Sequence, residues 1–521
     1  MKKFLALLLV LVLVLGTVAG CSSKPAAEAT DNDAPASEGT DSQAPAEEET
    51  IAKEELKIAL STDITSLDPQ GHNDVASERV SFLLYNRLFR LNTDFEVVPD
   101  LAESWEQPSP TEWVIKIKEG VMFHDGTEMK ASDVKFSLDR SLTMPKVQHV
   151  LAEVESIEVV DDYTVKITTK TAFAPFLFTL VHAGASILPQ AYVESGDEFA
   201  NPIGSGPYTF VEWVSGDKIS VVKNENYFDA DNMGQMPKIT FKVIPEGTSR
   251  TIALETGEVD VVDELPSNDI AKVEESPDLK MYTSASTRLD YYGMNTAMAP
   301  FDNELVRQAF NYAIDKKSVM IVAIDGAGVE TNSILAPSML GYKASDYTYD
   351  PEKAKALLAE AGYPDGFEMT IWASGDQRKR MAEVIQANLM DIGITSTIEM
   401  LEWGTYIDAL MAGEGQTFVM GWTSNPDPDS TLTPLYYSES VGGMNFTRIE
   451  DSKIDELILA GRSEMDLDKR IAIYNELHAY TMERAPLVPL FTKNNLVGAN
   501  AGLSGVELSP QGLWNIEKIS Y

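Results

Sequence analysis

Polar and apolar residues alternate along much of the first half of this chain. "EWVIKIKEG" (112–120) and "YTVKITTK" (163–170) show the two-residue period of half-buried strands. The segment between them, "KASDVKFSLDRSL" (130–142), instead repeats Val134, Leu138 and Leu142 every four residues, which predicts a helix with Asp133 placed to cap it. "YTFVEWVSGDKISVVKN" (208–224) reads as a hairpin turning at Ser-Gly-Asp, and "LKIALS" (56–61) as a short strand. The second half is more helical. "FDNELVRQAFNYAID" (301–315) carries an apolar stripe of Val306, Ala309, Phe310 and Ala313, with Asp302 as the expected N-cap. In "YDPEKAKALLAEAGY" (349–363), Asp350 caps, Pro351 fits the first turn and Gly362 ends the helix, with Ala354, Leu357, Leu358 and Ala361 inward. Then "EMTIWAS", "RKRMAEVIQANLMDIGI", "TSTIEML", "EWGTYIDALMAG" and "TFVMGW" alternate strand and helix, the mark of an α/β domain with parallel strands.

Two ends of the pattern fall outside this scheme. The N-terminus, "MKKFLALLLVLVLVLGTVAGC", has Lys2 and Lys3, an apolar run from Phe4 to Leu15 and then small residues, as a secretory signal does. Val18-Ala19-Gly20-Cys21 resembles a bacterial lipobox, and Cys21 is the sole cysteine of the chain. Residues 1–20 are thus expected to be a lipoprotein signal peptide, with Cys21 the lipidated residue. From Ser22 to Glu55 ten acidic residues face only Lys24 and Lys53, with no apolar period. Such a segment cannot offset its ordering entropy, so 21–55 is expected to be an unstructured acidic tether.

Length and charge narrow the function. A chain of 521 residues is too long for one core. A formal charge of −40 argues against nucleic acid, which needs a basic face. Five scattered His and one Cys give no metal-ligand spacing, so no metal and no cofactor is expected.

The stretch "GWTSNPDPDS" (421–430) puts Trp422 at the carboxyl end of a predicted strand, followed at once by two Pro and two Asp. Ligands of open α/β sheets bind outside those strand ends. The alternative is a packing Trp with a solvated acidic turn behind it.

Across nearly all of its mature length the chain resembles the family 5 solute-binding proteins of bacterial ABC importers, the dipeptide- and oligopeptide-binding group. The resemblance rests on an ordered series of segments. It includes "SLDP" (66–69), "PDLAESW" (99–105), "EGVMFHDGTEMKASDVKFSLDR" (119–140) and "IGSGPYTFVEWVSGDKISVVKNENYF" (203–228). "IPEGTSRTIALETGEVDVVDELP" (244–266), "MNTAMAPFDNELVRQAFNYAID" (294–315), "YDPEKAKALLAEAGYPDG" (349–366) and "EWGTYIDALMAGEGQTFVMGW" (402–422) complete it. It implies a two-lobed α/β fold of the periplasmic-binding-protein type II, cluster C class. One lobe would comprise 56–286 plus 489–521, with an extra subdomain at about 88–189; the other would be 289–488. The lobes would close on ligand by a hinge motion.

The resemblance also implies site residues. Peptide-binding members place an Asp three residues after the strand-end Trp to hold the peptide's ammonium group; here that position is Asn425, a carbonyl acceptor without charge. Asp427 and Asp429 are substitutes if the turn folds inward. Arg378 is the nearest candidate for a carboxylate anchor, Trp403, Tyr406, Trp422 and Thr423 for walls, and Tyr292 and Asn295 for contacts near the lobe crossing. The implied role is lipid-anchored capture of di- or oligopeptides by a monomer at the outer face of the cell membrane, with delivery to ABC permease subunits. Oligosaccharides, nickel chelates and opines are the alternatives within the family. A secreted hydrolase is a remote one: Asp427 and Asp429 flank a Pro as turn formers do, and "GSGPY" (204–208) matches neither a phosphate loop nor a nucleophile elbow.

Overall fold

The computed structural model describes residues 53–92, 96–197 and 199–521. The signal sequence, Cys21 and nearly all of the tether lie outside them. Lys53 already belongs to the fold, since its ammonium pairs with Asp260 at 2.7 Å, and Glu55 opens the first strand.

The alternating segments form the strands their pattern predicts. Glu112–Ile117 turns Trp113, Ile115 and Ile117 inward. It sits in a four-stranded antiparallel sheet with Ala102–Ser109, Thr164–Thr169 and Val154–Asp161. The helix Ala131–Ser141 packs Val134 and Leu138 into the same core. Its N-cap position is Lys130, not Asp133. Asp133 lies one turn in and accepts the Lys130 backbone N–H at 2.9 Å. This small sheet forms the extra subdomain of the N-terminal lobe.

The main sheet has twelve strands. Ten of them run side by side in the order Thr395–Met400, Glu368–Ala373, Thr417–Trp422, Leu289–Met294, Leu487–Asn500, Val261–Asp263, Glu55–Leu60, Lys238–Val243, Lys218–Lys223 and Tyr208–Val214. The fourteen-residue strand Leu487–Asn500 joins the halves. Its start pairs antiparallel with Leu289–Met294, and its end with Val261–Asp263 and Leu279–Ala285. Leu487 to Thr492 are all buried, as in strands covered on both faces. The chain crosses between the halves a second time at Ser286–Arg288, between Leu279–Ala285 and Leu289–Met294. The predicted parallel pairing holds for Glu368–Ala373 with both Thr395–Met400 and Thr417–Trp422. Leu289–Met294, a strand outside the segments read from the sequence, runs antiparallel to Thr417–Trp422, so the sheet is mixed.

Helix ends follow local chemistry. Asp350 caps Pro351–Glu360 by accepting the Lys353 N–H, and Gly362 follows at φ +94°, a conformation that favours glycine. The helix Glu304–Ala313 is capped by Asn303 rather than Asp302. Each half of the molecule has its own apolar cores: Ile58, Phe241 and Tyr208 lie in one, Phe310, Ile371 and Ile385 in another, and Tyr406, Phe418 and Leu477 in a third. The result is the two-lobed α/β architecture.

Candidate functional site

Thr417–Trp422 ends where the sheet meets open space. Trp422 is half-buried there, and its indole N–H donates to the Ser430 carbonyl at 2.9 Å. Beyond it the chain folds into a self-bonded turn. The Asn425 side-chain carbonyl accepts the Asp427 N–H at 3.0 Å, and Ser430 Oγ donates to the carbonyls of Asn425 (3.1 Å) and Asp427 (2.7 Å). Thr287, on the crossing segment, donates from Oγ1 to the Ser424 carbonyl at 2.6 Å, fixing the turn to the junction of the lobes.

The turn forms one wall of a cavity of about 610 Å³. Trp422, Thr423, Ser424, Asn425 and Pro426 line that side, followed by Asp429, Ser430, Thr433 and Pro434 of the next helix, Asp429–Tyr436. The facing wall comes from the N-terminal lobe. The helix Val75–Leu84 contributes Glu78 and Phe82, and the extra subdomain contributes His149, Phe173, Phe178 and His182. The volume suits a small solute, and the surface is mostly apolar with a few polar groups, as ligand pockets are.

Its charges are unequally engaged. Arg462 bridges the two walls, 3.3 Å from Glu153 of the subdomain and 3.2 Å from Asp429 after the turn. Its guanidinium also lies over the Phe173 ring. Burial raises the Asp429 carboxyl above the ordinary range, and Arg462 and the Thr433 hydroxyl partly offset this. His182 is neutral, held down to about 4 by burial, with Nε2 directed to the Asn73 side-chain oxygen at 3.2 Å and Nδ1 accepting the Gly184 N–H at 2.9 Å. The Glu78 carboxylate makes no hydrogen bond or ion pair among the described residues. Glu78 borders both this cavity and an adjoining one of about 100 Å³, and burial raises its carboxyl.

Of the residues singled out in the sequence, Trp422, Thr423, Asn425 and Asp429 line the cavity together. The others do not line it. Asp427 is 1% exposed and held by the two terminal nitrogens of Arg470 at 2.6 and 2.7 Å, so its carboxylate is used inside the fold. Tyr406 is buried and donates to the Val419 carbonyl. Trp403 is exposed at the start of the same helix, with the Arg378 guanidinium 4.8 Å from its ring centre. Tyr292 stacks on Phe310 in the core, and the Asn295 amide donates to the Gly413 and Gly415 carbonyls. Among the described residues no group of three or more His, Cys, Asp or Glu could hold a metal ion.

Residues 96–443 match the family described as bacterial extracellular solute-binding proteins, family 5. Heme-binding protein A of Haemophilus influenzae is 32% identical over 82% of this chain and 85% of its own length. The dipeptide-binding protein of Escherichia coli is 31% identical over 84% and 89%. The solved structure of HbpA2 from Haemophilus parasuis superposes with a TM-score of 0.84 at 30% identity, covering 89% of this chain and 99% of that one. The chain belongs to the family 5 extracellular solute-binding proteins.

It is therefore a solute-binding component of an ABC importer and not an enzyme. Members of this family work outside the cytoplasm. No helix among the described residues is long and apolar enough to cross a membrane. In this solute-binding protein, sequence reasoning found the strand-end wall and missed the facing one. Glu78 and Phe82 lie in a segment that carries none of the patterns read from the sequence, and His149 and His182 sit in loops without pattern. Only the fold brings them to the strand end.

Proposed function

We propose that this protein captures peptides in the 610 Å³ cavity and passes them to an ABC permease. The observation that carries the reading is the cavity itself. It lies at the strand-end Trp422, takes its two walls from two lobes, and combines aromatic side chains with a few convergent polar groups. The likeness to the dipeptide-binding protein of Escherichia coli supports a peptide as the solute. The two crossings, at Ser286–Arg288 and within Leu487–Asn500, would serve as the hinge, dividing the chain into 56–286 with the C-terminal tail and 289–488. A solute that binds only the closed form stabilises it by linkage, by about 2.7 kcal/mol at a hundredfold excess over the dissociation constant. The test is mass spectrometry of what co-purifies in the cleft, with X-ray scattering before and after its return. A peptide and a smaller radius are expected; a non-peptide solute would overturn the peptide assignment, and an unchanged radius at saturation the hinge.

We also propose that Cys21 carries the lipid anchor and that the acidic tether holds the binding unit off the membrane. Cys21→Ala is expected to release the protein from membranes, and equal retention of variant and parent would refute the anchor.

A second reading takes its support from the name of the Haemophilus influenzae relative and from the aromatic, histidine-bearing wall: a heme. Both nitrogens of His182 are engaged, which leaves His149 as the imidazole to ligate iron. Titration with hemin distinguishes this reading through a shifted Soret band that His149→Ala abolishes.

A further inference from the structure

Peptide-binding relatives are expected to hold the ligand's ammonium group at the position of Asn425. The geometry of the turn argues for a different polarity. The Asp427 N–H at 3.0 Å requires the Asn425 carbonyl to point at it, which fixes the orientation of the amide. The group left without a partner is the Asn425 NH2, which is a donor, on the surface of the cavity. The nearby carboxylates of this wall are also engaged: Asp427 by Arg470, Asp429 by Arg462 and Thr433. A cation brought to this side would meet donors and already paired acids.

The opposite wall has the complementary defect. Glu78 is half-buried and faces the cavity, and its carboxylate has no hydrogen-bonding or ionic partner among the described residues. Arg79 and Arg87 act on Glu78 through space, but neither makes a hydrogen bond or ion pair with its carboxylate among the described residues. Arg79 donates to Asp263 at 2.8 Å and to the Leu513 carbonyl at 2.7 Å, and Arg87 stacks over the Phe82 ring at 3.8 Å. His72 and His182, beside Glu78 in the adjoining cavity, are both held neutral by burial. A carboxylate in this position is costly unless a cation arrives with the ligand.

We infer that Glu78 is the ammonium anchor of this receptor and that Asn425 donates to the ligand's carbonyl or carboxylate, so that the solute is an amine-bearing peptide lying with its cationic end on the N-terminal lobe. The inference rests on the peptide reading above. Phe82, Phe173 and Phe178 line the same cavity as the anchor, and an apolar lining strengthens an ion pair formed there.

The probes are two synthetic libraries of the same dipeptides, one with free ammonium groups and one N-acetylated, titrated by thermal melting and calorimetry against the full chain. The parent is expected to prefer the free library. Glu78→Gln should lower affinity for it about tenfold to a hundredfold, the worth of a charge-assisted hydrogen bond, and erase the preference. Asn425→Asp should also weaken binding, because it keeps the acceptor for the Asp427 N–H but turns a donor into an anion. A parent that binds both libraries alike has no ammonium anchor, and the inference fails. A preference that survives in Glu78→Gln, or an affinity that rises in Asn425→Asp, puts the ammonium elsewhere and overturns the inference while leaving the peptide reading intact. A parent that binds neither library overturns both.

Discussion

The two walls of the cavity are built on opposite terms. On the strand-end wall most polar groups are already paired. Trp422, Asn425, Asp427, Asp429 and Ser430 bond to one another or to Arg462 and Arg470, and Thr287 pins the turn to the lobe junction. On the facing wall the apolar side chains Phe82, Phe173 and Phe178 line the cavity together with Glu78, whose carboxylate has no hydrogen-bond or ion-pair partner among the described residues. A paired surface keeps its shape with or without ligand. A surface with an unpaired charge is incomplete until a ligand completes it. The difference separates two jobs that one cluster of acids in the sequence could not reveal: one wall gives the cavity its form, the other its selectivity.

Removing a carboxylate should therefore have very different consequences on the two sides. The largest effect is expected at Asp427. Its replacement by Ala leaves the Arg470 guanidinium, 5% exposed, as an uncompensated buried charge. Breaking such a pair costs about 3–5 kcal/mol. Arg470 also donates to the Gly461 carbonyl and to the Tyr474 hydroxyl, so the loss should loosen the packing of helix Leu467–Arg484 as well. Urea unfolding of Asp427→Ala measures it. A loss below 1 kcal/mol would mean that this wall is not held by the pair.

An intermediate effect is expected at Arg462, the residue that touches both walls. Arg462→Met keeps the stem over Phe173 and removes the charge from Glu153 and Asp429. The loss should be about 1–3 kcal/mol, the range for hydrogen bonds to charged groups. Its pH dependence is the sharper reading. The folded Asp429 carboxyl already lies above its ordinary value, so the folded chain binds more protons than the unfolded one in the window just above about pH 4. Stability then falls as pH rises through that window. Without Arg462 the carboxyl rises further, so the fall should be larger and reach a higher pH. A variant with the parent's pH profile would show that Arg462 does not hold Asp429 in solution.

What the sequence made legible follows from where each signal resides. Strand alternation, helix periodicity and turn residues are local, and the elements came out as read. The boundary errors are capping errors: Asn303 and Lys130 occupy caps where Asp302 and Asp133 were expected, because several polar residues compete at each helix start. The antiparallel Leu289–Met294 could not be read locally, because its neighbour Leu487–Asn500 lies almost 200 residues away. The site divides in the same way. Trp422 and Asn425 could be found because a strand end is a local feature. Asp427, offered as a ligand group if the turn folds inward, is taken up by Arg470, a partner remote in sequence. Glu78 could not be read at all, since an acid in the first turn of a helix is the ordinary place for one.

The smallest effect on the fold is expected where the effect on binding is largest. The Glu78 carboxylate has no hydrogen-bond or ion-pair partner among the described residues, so Glu78→Gln removes no bond seen among them. Burial raises the carboxyl, chiefly by desolvation and against the pull of Arg79 and Arg87. A raised folded value means that the native chain binds more protons than the unfolded one above about pH 4.3, and that stability declines as pH rises from there. Gln cannot ionise and escapes the decline. Toward low pH, where the carboxyl is protonated in both the folded and the unfolded chain, parent and variant should differ by no more than about 0.5 kcal/mol, as substitutions that break nothing do. At neutral pH the variant should be as stable as the parent or more so, with a flatter profile between. Chemical unfolding of both proteins at low pH and at pH 7.5, without ligand, decides it. A variant that is less stable at pH 7.5 would reveal a partner for Glu78 inside the fold, and the contrast between a closed wall and an unpaired one would fall with it.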